Sequence, residues 1–171
     1  MKLSRASIRY LLIYQGIVPF FINALITFGL SLPALRSGSP EQIPVWKGTP
    51  SAFSDVIGTL FLLPFITCLI ATPLVRRDVR RSVTAAVPKE FLPLWLRCMT
   101  VKHPLRALLF GIASLAVMTG PALLVLQLSG QDNVDVQEFV LCKILFAAIY
   151  GFLVTPLIAL SALTDPVAPG T

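Results

Sequence analysis

Charge is what this sequence has least of. Only 13% of its 171 residues are charged, acids number eight, and 56% are hydrophobic. Soluble domains carry roughly a quarter of their residues as charges, so the shortfall excludes an ordinary water-soluble fold and makes lipid the solvent. Histidine occurs once, at His103, between Lys102 and Pro104 at the foot of an apolar stretch. A lone histidine there reads as a solvated interface residue. Three cysteines, Cys68, Cys98 and Cys142, form no CxxC pair. They supply neither a disulfide framework nor a zinc ligand set, and read as small hydrophobes. The motifs HExxH, GxSxG and DxD and a phosphate-cradling glycine loop are all missing. No enzyme chemistry is expected, and no catalytic residue, metal or cofactor is assigned.

Apolar runs dominate instead, with a mean hydropathy of +0.82. Four of them, 10–32, 53–75, 107–128 and 139–163, each exceed the roughly 20 residues that a helix needs to cross about 30 Å of hydrocarbon. Helices are required because lipid offers no partner for backbone N–H and C=O groups. Barrel strands would alternate polar and apolar positions, and these runs do not. The first run follows Lys2, Arg5 and Arg9 as a secretory signal would, but it carries Gln15 and Asn23 and outlasts an h-region of about 7 to 15 residues. It is expected to persist as a helix. The expected fold class is an all-α membrane protein, one unit over 1–171 with four transmembrane helices arranged as two sequential hairpins.

Basic residues set the expected orientation. Lys2, Arg5 and Arg9 precede the first run, and the loop 76–106 adds Arg76, Arg77, Arg80, Arg81, Lys89, Arg97, Lys102 and Arg106. The loop between the first and second runs has only Arg36 and Lys47, and the one between the third and fourth has Asp132 and Asp135 with no base. By the positive-inside rule the N-terminus, the basic loop and the C-terminal tail are cytoplasmic. The same rule accounts for the net charge of +6 without nucleic acid as a partner. Within the basic loop, Lys89, Glu90 and Arg97 are interleaved with Phe91, Leu92, Leu94, Trp95 and Leu96. That mixture predicts a short element lying in the headgroup plane, able to meet anionic membrane lipid or a protein partner. Ordinary positive-inside charge with a Trp anchor is the plainer alternative. The loop 33–52 carries Pro33, Pro40, Pro44 and Pro50 with Trp46 beside Lys47, and is expected to form an irregular, partly extended cap.

Offset by 83 residues, the second and fourth runs match at Asp55 with Glu138, Leu62 with Leu145, and Thr72, Pro73, Leu74 with Thr155, Pro156, Leu157. Two hairpins of the same sense would form an internal parallel repeat about an axis along the membrane normal. The small alphabet of apolar spans competes as an explanation. Thr27, Gly29, Trp46 and the ending TPLVRR make residues 20–81 resemble a small two-span bacterial membrane domain of unknown function. The resemblance implies a bacterial inner membrane and brings no activity with it.

Polar residues at depth are where function is expected in a bilayer. On the first run Gln15, Pro19, Asn23 and Thr27 recur at every fourth position. Asp55, Thr59 and Thr67 follow a similar ridge on the second, as do Lys143, Ala147, Gly151 and Thr155 on the fourth. Gln15, Asn23, Thr27, Asp55, Thr59 and Lys143 are therefore the candidate binding residues of a polar seam. Helix adhesion competes with that reading and ranks ahead of it. Asn, Gln and Thr hydrogen bond across helices for about 0.6 kcal/mol each, and small-xxx-small pairs such as Ala107/Gly111, Ala116/Gly120 and Ala147/Gly151 allow close approach. Asp55 and Glu138 stand near helix starts and read first as caps. Lys143 lies roughly 8 Å inside its run at 1.5 Å per residue, so its amine must snorkel or be paired. Asp55 begins the second run at a comparable level.

Two function classes follow. One is a non-enzymatic accessory or scaffolding subunit, packing against other membrane proteins as a homo- or hetero-oligomer. The other is a small oligomeric transporter or channel that uses the seam.

Overall fold

The computed structural model describes residues 5–36, 42–48, 51–99 and 101–165. A first rod runs without a break through α1 (Arg5–Arg9), a π-helical stretch (Tyr10–Ile17) and α2 (Val18–Arg36). Then come β1 (Gln42–Pro44), α3 (Ala52–Arg80), a short 3-10 helix (Lys89–Phe91), α4 (Leu94–Cys98), α5 (His103–Leu128), β2 (Asn133–Asp135) and α6 (Val136–Ala162). The first rod, α3, α5 and α6 are each long and apolar enough to cross a membrane. This is the architecture of an all-α, multi-pass membrane protein. Pro64, Pro73, Pro121 and Pro156 all lie inside these helices, as membrane helices tolerate when neighbouring groups re-satisfy the freed carbonyls.

Helix order in space departs from chain order. α2 and the π stretch pack along α6, α6 also packs along α3, and α3 packs along α5. α3 and α6 thus form an inner pair, with the first rod and α5 each held to one member of it. Neither the pairing into two sequential hairpins nor the internal repeat is shown by these contacts. The small residues explain the order: Gly111 of α5 lies against the Phe61 ring of α3, and Gly151 of α6 lies against the Asn23 amide of α2. Ala107 and Ala147, one turn before those glycines, are buried with them. The third expected pair behaves differently, because a side chain at Gly120 would meet nothing within 4 Å.

Inside the first rod the π geometry has a local consequence. Its hydrogen bonds run i→i+5, as with the Val18 N–H on the Ile13 carbonyl, and this brings side chains five apart onto one face. Gln15 Nε2 thereby donates to the Tyr10 hydroxyl at 3.0 Å, and that hydroxyl donates to Asp78 Oδ2 of α3 at 2.7 Å.

One end of the bundle is closed by apolar packing. Tyr10, Leu11, Val75, Ala159 and Leu163 form one buried cluster there, and Cys68, Leu92, Leu96, Phe110 and Ile158 form another. The amphipathic segment of the basic loop belongs to this end. Leu92 and Leu96 tuck under the helices while Leu94 and Trp95 stay exposed, so the element is a plug as well as a surface. At the opposite end β1 and β2 pair antiparallel with Ile43 across from Val134, and the Val45 N–H donates to the Asp132 carbonyl at 2.9 Å. That two-stranded cap ties together two loops whose sequences do not announce a strand. Below it Ser51 caps α3 by accepting from the Ser54 N–H, and Asp135 caps α6 by accepting from the Gln137 and Glu138 N–H groups. The cap of α6 is thus Asp135 rather than the expected Glu138, and the Asp55 carboxylate, expected to cap α3, instead turns toward Lys143 of α6.

The close approach at Gly111 is open to test. A Cβ there would come within 2.8 Å of the Phe61 ring. Gly111→Val is expected to lower stability in detergent by about 1–3 kcal/mol, the usual cost of overpacking. Gly120→Val should leave the melting temperature unchanged.

Candidate functional site

α3 and α6 start beneath the β1–β2 cap and descend in the same direction. Asp55 sits in the first turn of α3 and Lys143 two turns into α6, and the length of the lysine side chain makes up the difference in level. Lys143 Nζ donates to Asp55 Oδ1 at 2.7 Å. The two side chains keep 25% and 32% of their surface, so the pair is neither dry nor free in solvent. Asp55 Oδ2 is buried with no donor. The carboxylate thus accepts far fewer hydrogen bonds than its two oxygens allow, and the amine uses one of its three protons. Thr59, one turn below, donates its hydroxyl to the Asp55 carbonyl at 2.8 Å.

Cavities flank this pair. One of about 320 Å³ lies among α3, α5 and α6, with Val56, Met118, Pro121, Phe139 and Phe146 forming its apolar wall and Asp55, Thr59 and Lys143 its polar edge. A second of about 460 Å³ opens between α2 and α3, where Asn23, Thr27, Gly58, Leu62 and Ile66 face the same three polar residues. A third of about 490 Å³ sits against the cap, lined by Trp46, Gln127, Gln131 and Asp132, and meets the first at Leu126. These spaces follow from the packing order, since α5 is held to α3 and α2 to α6, which leaves each outer helix apart from the other inner one. Midway down, Ser114 Oγ donates to the Leu60 carbonyl at 2.5 Å and hydrogen bonds the Tyr150 hydroxyl, joining α5, α3 and α6. Below that level the buried clusters fill the interior.

Of the six candidate residues, Asn23, Thr27, Asp55, Thr59 and Lys143 border these cavities. Gln15 does not; it belongs to the Tyr10–Asp78 network nearer the other end. What the arrangement can do chemically is hold an ionic or hydrogen-bonding group beside an apolar body. Among the described residues no three His, Cys, Asp or Glu side chains gather in a way that could hold a metal ion.

The most buried charge among the described residues is one that the sequence pattern does not mark. Arg106, 1% exposed, makes a two-pronged contact with Asp165, Nη1 to Oδ2 at 2.9 Å and Nη2 to Oδ1 at 2.5 Å. Arg76 adds Nε to Oδ2 at 2.8 Å. Both arginines counted only as positive-inside charge in the sequence. The signal that was there is Asp165 itself, a lone acid just beyond the last span at the end richest in arginine. The cluster clamps the ends of α3, α5 and α6 together. Burial by itself would raise the Asp165 pKa, but the hydrogen bonds and charges of Arg106 and Arg76 overcome it and hold the carboxyl below its usual range.

Comparison with protein-family models, with curated proteins and with solved structures found no match. The site therefore rests on its own geometry.

A depressed carboxylate pKa stabilises the folded state above the unfolded value, and that contribution disappears as pH falls through the folded one. The Asp165 clamp is thus expected to act fully above about pH 4 and to fade below it. Asp165→Asn should lower the melting temperature at pH 7, and the gap to the unmodified protein should shrink as the pH drops under about 4. A gap constant with pH would show that the charge on Asp165 does not matter.

Proposed function

We propose that this chain is a non-enzymatic accessory or scaffolding subunit of a bacterial inner membrane, with both termini and the loop 76–106 cytoplasmic, that engages other membrane components sideways through the cap-end half of its bundle. The observation that carries the reading is the asymmetry of the interior. The half beneath the cap holds the Asp55–Lys143 pair and its flanking cavities, while the basic half is filled by buried apolar clusters and the Arg106–Asp165 clamp. A site open on one half and packed shut on the other suits lateral binding better than passage across. The basic excess at the packed end supports its cytoplasmic placement.

We also infer the internal parallel repeat. Its support is that β1 and β2, the segments ahead of α3 and α6, pair antiparallel with each other, and that the first helix of each half packs on the second helix of the other. In this form the halves exchange helices rather than standing as separate hairpins.

A small oligomeric transporter is the second reading, favoured by the same ion pair, because carboxylates and lysines at membrane depth mark ion and substrate pathways. It requires either that the packed half opens or that the pathway runs between copies.

Photo-crosslinking in cells separates the two. Ile26 and Val125 are 53% and 68% exposed and border the two flanking cavities. A photoreactive residue at either position is expected to give a discrete adduct with a different membrane protein that survives mild-detergent purification. Adducts with a second copy alone, together with solute uptake into proteoliposomes that Lys143→Leu abolishes, would replace the accessory reading by transport.

A further inference from the structure

The Asp55–Lys143 pair is an unfinished polar site at a depth where membrane lipids place their headgroups. α6 has 27 residues, about 40 Å at 1.5 Å per residue, against a hydrocarbon core of about 30 Å. A centred helix therefore enters hydrocarbon about 5 Å below its start. Asp55 lies about 4–5 Å along α3 and Lys143 about 10 Å along α6, so the pair straddles that boundary. A fixed carboxylate 2.7 Å from a fixed ammonium presents both signs of charge at once. The carboxylate accepts only the Lys143 hydrogen bond, where its two oxygens offer about four lone-pair sites. The amine has protons to spare. Directly beneath lies the apolar chamber of about 320 Å³ walled by Met118, Pro121, Phe139 and Phe146.

The geometry points to a zwitterionic phospholipid with a primary ammonium headgroup as the ligand of this site. Its phosphate would meet Lys143, its ammonium would donate to Asp55, and one acyl chain would fill the chamber between α3, α5 and α6. Charge complementarity selects this class. An anionic lipid satisfies Lys143 and leaves the carboxylate facing negative charge, whereas a quaternary ammonium lipid has no N–H to donate to Asp55. The inference rests on the reading that the cap-end half opens to the membrane plane, and it names what occupies the opening.

Native mass spectrometry of the purified full chain tests it, with phosphatidylethanolamine, phosphatidylcholine and phosphatidylglycerol of identical acyl chains titrated separately. The expected result is retention of phosphatidylethanolamine about tenfold tighter than the other two, the scale of one charge-assisted hydrogen bond. Asp55→Asn should abolish its advantage over phosphatidylcholine. Ala122→Trp, which fills the chamber without touching charge, should weaken phosphatidylethanolamine retention while leaving the melting temperature in place. Equal retention of the three lipids, or an unchanged ranking in Asp55→Asn, would overturn the proposal and leave ordinary annular lipid. Should Asp55→Asn fail to fold, the ranking on the unmodified chain together with Ala122→Trp decides. Partner crosslinking reads the accessory role separately, so either idea can fail while the other stands.

Discussion

An amine cannot be carried into the margin of a bilayer without compensation, and the contact between α3 and α6 is organised around that constraint. Lys143 is the only base well inside a span, and Asp55 on the neighbouring helix is what it reaches. An ion pair of this kind contributes modestly to stability, because desolvation offsets much of the attraction. Its structural effect is to tie α3 to α6 across a difference in level, the Lys143 side chain reaching from two turns into α6 to Asp55 in the first turn of α3. The two helices that carry this pair are also the two that the outer helices pack against.

From that inner pair the remaining features follow. Each outer helix is drawn to one inner helix by a glycine, α5 through Gly111 and α2 through Gly151, and each stands away from the other. The gaps are the cavities. At the basic end the gaps are closed from below by Leu92 and Leu96 and by the arginines gathered on Asp165. At the cap end nothing comparable among the described residues fills them, and the β1–β2 pairing bridges over the top instead.

The four spans were legible because lipid imposes long runs with few charges. Lys143 and Asp55 were legible for the complementary reason: charge at depth must snorkel or be paired, and Asp55 or an acid of the adjoining loop stood at a comparable level. Helix order was not legible, since small residues occur on several faces and sequence cannot say which of Gly111, Gly120 and Gly151 meets a neighbour. The strand pairing of residues 42–44 with 133–135 was hidden because each strand is three residues long, too short for any alternation to register. Asp165 was missed because a tail acid is ordinary unless one knows that a buried arginine waits beside it. The loop plug was half seen. Its mixed composition predicts an amphipathic element, but Leu92 and Leu96 face the bundle's own core while Leu94 and Trp95 stay exposed.

The central claim is that Lys143 and Asp55 face each other inside the bundle rather than the lysine reaching outward to water. Solid-state NMR in lipid bilayers addresses it directly, through the dipolar coupling between ¹⁵N-labelled Lys143 Nζ and the ¹³C-labelled carboxyl carbon of Asp55. The account predicts a coupling that places the two charged groups within ion-pair distance, about 4 Å or less, and that vanishes in Asp55→Leu. An amine that shows no such coupling and exchanges freely with interfacial water would contradict it.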